Sequence, residues 1–442
     1  MAEVASERLN YLSKKQRAVS SRASRQIIPC SNGQTFTLGQ TARIDLAGNQ
    51  MATYWDAQNT YLKMTVRNND GAVIHLESAY ALIDRLEILA DGQTVSNISN
   101  YGALVHQYLD SEVGQNWKGE FGRSLVGTSY HANELERIVA NGGSSTFCLP
   151  LPFTPIFTSS KYIPMIGRST ISIRITFASA GKGTLGGATD NEVVISPIEL
   201  VTSYIRLSAE ANAMVLANTG GRFELICSDV RTAEGNLPIG STVLNVNCGF
   251  SFSSLDRISF GFYPTLNTAN ALSVSNRSCG NLTEFALSIN GEEHPRKRIQ
   301  VSATNVSEVL AEIGVGSRSL ADFNHQSTLT RYRIVGGAGA DDPVVLHPKF
   351  YLEDPAGTSA NANRHEYEAR RGTFMAMIDT ESMKPHADPD SLYSGLSTLG
   401  SVVQLVGTSA PTTVASTVLV FAQYTLALTL DMNGSQTWVV SI

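Results

Sequence analysis

Asp84-Arg85-Leu86-Glu87-Ile88-Leu89-Ala90-Asp91-Gly92-Gln93 has a distant counterpart in the second half of the chain, Glu284-Phe285-Ala286-Leu287-Ser288-Ile289-Asn290-Gly291-Glu292. Each stretch reads as strand and ends on an Asp-Gly or Asn-Gly pair, which accepts the positive φ of a tight hairpin. Each is followed by a short helical pattern, starting near Tyr101 in the first copy and near Asn305 in the second. The turn glycines at 92 and 291 lie 199 positions apart, and the helix starts at 101 and 305 lie 204 apart. That agreement predicts a repeat of about 200 residues, each copy a strand-rich unit with a strand-turn-strand-helix insertion, and hence two tandem β sandwiches.

Outward from these hairpins the same period-two pattern recurs, placing one side chain inside and the next outside. Leu62, Met64 and Val66 alternate with Lys63 and Thr65, and Ile171, Ile173, Ile175 and Phe177 with Ser172, Arg174 and Thr176. Later, Ile258, Phe260 and Phe262 alternate with Ser259 and Gly261, and Leu426, Leu428 and Leu430 with Thr425, Ala427 and Thr429. A further turn is expected at Asn433-Gly434. The chain is therefore expected to be all-β, with short helices over 101–113, part of 199–216 and 305–313, the last capped by Asn305. The strand pattern breaks at 208–221, which marks the seam, and irregular stretches are expected over 114–145 and 356–371.

The 442 residues are 42% hydrophobic and 16% charged, which favours a packed globular protein over a disordered one. A net charge of -6 gives the body no overall attraction for nucleic acid or anionic membrane, so such contacts must be local. Cys30, Cys148, Cys227, Cys248 and Cys279 are an odd, scattered set without CxxC spacing, expected as reduced thiols. The first thirty residues hold no apolar run of a secretory signal, and the apolar stretch 417–430 is shorter than the ~20 residues of a membrane helix.

The motifs that carry chemistry elsewhere fail on context. Gly181-Lys182-Gly183-Thr184-Leu185-Gly186 matches GxGxxG after a strand, but no helix follows to receive a pyrophosphate, so it reads as a flexible loop. The eight histidines stand singly, without metal-ligand spacing. Asp379-Thr380-Glu381 and Glu353-Asp354 read as loop or strand ends rather than acid/base pairs, and Gly249-Phe250-Ser251-Phe252-Ser253 as part of a β run rather than a nucleophile elbow. Neither a catalytic set nor a cofactor or metal site is expected.

The run Ile83 to Val95 with Asn100-Tyr101-Gly102-Ala103-Leu104-Val105-His106 resembles the first jelly roll of major capsid proteins of polinton-like viruses and virophages. Leu149-Pro150-Leu151-Pro152 and Lys161-Tyr162-Ile163-Pro164-Met165 are similar to that family's approach to the end of its first sandwich. Met377-Ile378-Asp379-Thr380-Glu381 and Ser394-Gly395-Leu396-Ser397-Thr398-Leu399 resemble a block of its second, with Asp-Thr-Glu where the family has Asp-Leu-Glu. The resemblance implies two tandem eight-stranded antiparallel jelly rolls, here 27–210 and 211–442, after a basic arm over 1–26. It also implies a non-enzymatic capsid subunit that forms homotrimers, pseudo-hexagonal blocks tiling an icosahedral virion shell around double-stranded DNA, beside penton and minor capsid proteins. Assembly is expected in the host cytoplasm or nucleus.

Arg8, Lys14, Lys15, Arg17, Arg22 and Arg25 face only Glu3 and Glu7 in the first 25 residues, a local net of +4. Such an arm is expected to touch a neighbouring subunit, genome DNA or an inner membrane. The competing functions are a β-sandwich carbohydrate-binding or adhesin protein, and a glycosidase-like β enzyme, which needs paired carboxylates at a cleft.

Overall fold

In the computed structural model the alternating runs become sixteen strands that close into two sandwiches of the same topology. The structure describes residues 21–128, 136–138, 141–159, 161–167, 170–184, 189–264, 274, 276–302, 306–317, 332–335, 345–348, 372–381, 395–412, 414–432 and 437–441. The first sandwich is built from β1 (Ser21–Pro29), β2 (Thr41–Leu46), β3 (Thr53–Asn68), β4 (Ile83–Ala90), β5 (Gln93–Ser99), β6 (Ser144–Pro150), β7 (Ile171–Phe177) and β8 (Val193–Leu207). The second is built from β9 (Arg222–Leu237), β10 (Val243–Asn247), β11 (Leu255–Pro264), β12 (Leu282–Ile289), β13 (Glu292–Gln300), β14 (Ala376–Asp379), β15 (Val403–Ser409) and β16 (Ser416–Asp431).

All neighbouring strands are antiparallel, in sheets β1-β8-β3-β6 and β2-β7-β4-β5, then β9-β16-β11-β14 and β10-β15-β12-β13. In each sandwich the strands thus fall in the order first-eighth-third-sixth and second-seventh-fourth-fifth, which is the jelly roll. The inward-facing residues supply the cores: Ile171, Ile173, Ile175 and Phe177 join Leu62, Met64 and Val66 as the buried set of one, and Ile258, Phe260 and Phe262 are fully buried in the other.

Among the described residues the three longest helices are α1 (Tyr101–Glu112), α2 (Ala209–Thr219) and α3 (Ser307–Ser317). The expected helix within 199–216 starts only at Ala209, because Ile198, Leu200 and Tyr204 keep their strand alternation and β8 runs to Leu207. Ser208 then caps α2 by accepting from the Ala211 amide at 3.3 Å, so the seam is itself helical. The stretch 114–145 also holds order that was not expected: helices Gln115–Gly119 and Phe121–Val126, and a strand Glu136–Ile138 paired with Ile74–Leu76. Gly249 to Ser253 is not strand but the connection between β10 and β11; its alternation arises because Phe250 and Phe252 turn into the core, where Phe252 stacks on Tyr424 at 3.9 Å. The Asn305 cap, residues 356–371 and Asn433-Gly434 lie outside the described residues.

Two glycines separate the demands of backbone and of packing at these turns. Gly291 (φ +86°) closes the β12–β13 hairpin with open space where a Cβ would go. At Gly280 (φ +58°) a Cβ would stand 2.8 Å from the buried ring of Phe262. Gly291→Ala is expected to cost about 1–2 kcal/mol for the left-handed backbone alone. Gly280→Ala should cost about 1–3 kcal/mol more for overpacking, read as the difference in denaturant midpoints.

Candidate functional site

Charge is buried where the two jelly rolls meet. Helix α1 leaves β5 and lies between them, with ten of its 12 residues buried. A helix covered on that many sides is normally apolar throughout, but this one carries Asp110 in its last turn. Lys118 donates to Asp110 Oδ1 at 2.6 Å, and Arg277, from the β11–β12 connection of the second roll, donates through Nη2 to Asp110 Oδ2 at 2.6 Å. Arg277 has no exposed surface; its Nε also donates to the Phe374 carbonyl at 2.8 Å. One carboxylate of the first roll therefore pairs with a cation from each roll. Beside it Gln107 donates to Tyr263 Oη at 3.2 Å, while Arg257 reaches Glu112 at 3.4 Å and the Gly316 carbonyl of α3 at 2.9 Å.

A second strip runs along the edge of the first roll. Ser96 on β5 donates to Asp229 Oδ1 on β9 at 2.7 Å, and Tyr424 donates to the other oxygen at 2.8 Å. Thr232 on β9 donates to the Ser99 carbonyl at 2.8 Å, and Asn100 donates to Glu234. Asn100 is held in turn by Lys182, which also pairs with Asp84. Burial pushes the Asp229 carboxyl up to about 6, against the opposing pull of the Ser96 and Tyr424 hydroxyls, and burial with the Asp229 charge drives the Tyr424 phenol upward. Burial likewise raises Asp256 to about 6, although Thr425 and Ser254 donate to it.

Of the predicted contact residues, Arg8, Lys14, Lys15 and Arg17 lie outside the described residues, whereas Arg22 and Arg25 stand on β1. Arg25 donates to Tyr61 Oη at 2.5 Å and lies 5.9 Å from that ring's centre. Asp379 ends β14 and Thr380 is tied to the Leu255 and Asp256 carbonyls, a strand-end role; Glu353-Asp354 lies outside the described residues. The described part of the GxGxxG match, Gly181 to Thr184, forms a helical turn with Ala180 rather than a flexible loop, because Lys182 is pinned by Asn100 and Asp84 and Thr184 bonds back to the Ala180 carbonyl; 185 and 186 lie outside the described residues. An apolar cleft of about 550 Å³ beside α1 is lined by Tyr80, Tyr108, Leu109, Trp117, Pro150 and Pro152, and Glu112 in its wall is engaged by Arg257. Sequence reasoning missed Asp110, Lys118, Arg277 and Asp229; the one local signal was an acid in the last turn of an otherwise buried helix.

Two substitutions separate these contacts. Asp110→Ala leaves two cations buried without their carboxylate and is expected to cost about 3–5 kcal/mol in guanidinium unfolding. The Asp229 shift makes the native state hold a proton that the unfolded chain has released, so its contribution is present at low pH and lost as pH rises from about 4 through 6. Asp229→Asn removes that dependence: its unfolding free energy should match the parent near pH 4 and exceed it above pH 7, by a difference on the order of 2 kcal/mol in denaturant titrations.

No known family's sequence profile and no curated protein sequence matches the chain. Solved structures do match it from end to end. The capsid of the virus PBCV-1 superposes at a TM-score of 0.62 with 11% identity over 97% of this chain and 98% of that one. The Sputnik virophage structure gives a TM-score of 0.55 at 9% identity over 100% and 93%, and the mavirus major capsid protein 0.50 at 10% over 99% and 95%. With both sandwiches sharing one strand order and the superpositions running end to end, the chain has the double jelly-roll fold of these capsid structures.

Proposed function

We propose that the chain is a major capsid protein whose trimers, each a ring of six jelly rolls, tile the icosahedral shell of a virion around a DNA genome. The observation that carries this reading is the pairing of two topologically identical rolls on a buried ion-paired junction, in a fold that superposes end to end on three capsid structures. A rigid two-roll block suits tiling, because each copy then presents fixed surfaces to its neighbours. Weak lateral contacts between blocks sum to a stable closed shell while single errors dissociate. The role is structural rather than catalytic, as suits a chain whose superposed neighbours are capsid components.

The basic residues ahead of β1, Arg8, Lys14, Lys15 and Arg17, would serve as a salt-sensitive contact to genome DNA or an inner membrane. Penton and minor capsid proteins would be the remaining partners. Because β1 begins at Ser21, the informative truncation removes 1–20 and leaves the strand whole. Trimers should persist in that variant, while binding to DNA or to anionic vesicles falls and loses its salt dependence; unchanged binding to both removes the role of the arm. For the full chain, sedimentation is expected to give about 142 kDa, three times the 47.5 kDa of one copy. A monomer across the whole accessible concentration range would overturn the capsid reading.

A further inference from the structure

Helix α2 is apolar nearly all the way round, and yet none of its residues is buried. Seven of its eleven residues are Ala, Met, Val or Leu, and Glu210 carries its one charge. Such a helix is normally enclosed, because no side of it is suited to water. Val215 and Leu216 lean on the core, whereas Ala209, Ala213, Met214 and Ala217 are exposed, Met214 at 67%. The Leu207 amide donates to the Ala52 carbonyl at 2.9 Å, which ties the turn carrying Met51, 83% exposed, to the start of the helix.

The chain itself supplies a cover. Strand β1 begins at Ser21, which registers opposite Leu207 on β8, the residue before the Ser208 cap of α2. Neighbouring strands are about 4.8 Å apart, so the residues preceding β1 join the fold beside the first turn of that helix. Residues 1–20 lie outside the described residues, but their sequence is suited to the exposed face. Ala5, Leu9, Leu12 and Val19 recur at helical spacing, and Arg8, Lys14, Lys15 and Arg17 fall off that face. As a helix this stretch would span about 30 Å against roughly 16 Å for α2, so its reach is ample.

We infer that residues 1–20 dock on α2 of their own chain, setting Leu9 and Leu12 against Ala213, Met214 and Ala217. The alanines form a shallow face that a second helix can approach closely, and the pliable Met214 fills the gap between two leucines. Docking also gathers charge, since Arg22 on β1 and Arg206 on β8 are exposed partners in register at that end. The arm thus spends its apolar side on the protein and leaves its basic side for an anion. An occupant tethered within one strand spacing has a high effective concentration, which favours it over a second copy or a bilayer. The contact requires no trimer.

The test has to spare the charges of the arm. In the full-length chain, Leu9→Ser combined with Leu12→Ser removes the apolar side and keeps every basic residue. Amide hydrogen exchange across Ala209–Thr219 is followed in the parent, in this double variant and in the chain lacking 1–20, with α1 as internal reference. Exchange over α2 is expected to rise about tenfold or more in both variants, as loss of one or two buried leucines implies, while α1 is unchanged. In the otherwise unaltered chain, a photoreactive benzoylphenylalanine in place of Met214 is expected to couple to a peptide from 1–20 of the same polypeptide. Equal exchange over α2 in all three proteins, or coupling from position 214 to a second copy or to added lipid, overturns the inference and leaves the capsid reading intact.

Discussion

Arg277 crosses from the second roll to Asp110 on α1 at 2.6 Å, in a space closed to solvent, while Lys118 reaches the same carboxylate from the first. Desolvating three charges is expensive, and the cost is offset only if all three stay in register. The geometry that satisfies them therefore sets how one roll sits on the other. Around it, Gln107 with Tyr263 and Arg257 with Glu112 add polar contacts that demand the same placement. A greasy junction could slide, whereas this one loses its ion pairs if the rolls shift.

On the proposed shell role, that constraint gives the duplication its use. Two jelly rolls on a flexible tether would present their outer strands at variable angles, and no closed shell could be built from them. With the junction locked, β1 and β13 are carried at fixed positions on one block, one open and partly apolar, the other charged and proline-guarded. The helix α2 between the rolls contributes little to this rigidity, since none of its residues is fully buried. Rigidity comes from α1 and β5, which belong to the first roll and pack on the second.

Much of this could be read from the sequence, for identifiable reasons. The Asp91-Gly92 and Asn290-Gly291 hairpins and the strands before them are local features, and they appear where expected, with positive φ at all four turn residues. The helix from Tyr101 was equally local. What failed was pattern without context: Phe250 and Phe252 alternate like a strand but are a connection folded over the end of the core. Asp110 and Arg277 lie 167 residues apart, and no periodicity links a helix acid to an arginine in a turn. Asp229 and Ser96 are 133 apart, and look like ordinary surface residues until the rolls are stacked. The charged arm was visible by composition, but the boundary between arm and strand was not, since Arg22 and Arg25 on the strand carry the same charge as the residues before it.

If the two rolls are equivalent blocks held in one fixed arrangement that closes on itself in threes, electron cryo-microscopy of the purified protein at modest resolution will show it. The expected particle is a ring of six similar lobes with threefold symmetry, in which the spacing between lobes of one chain matches that between lobes of adjacent chains. A particle with two lobes at variable separation, or a twofold pair, would contradict both the fixed junction and the ring.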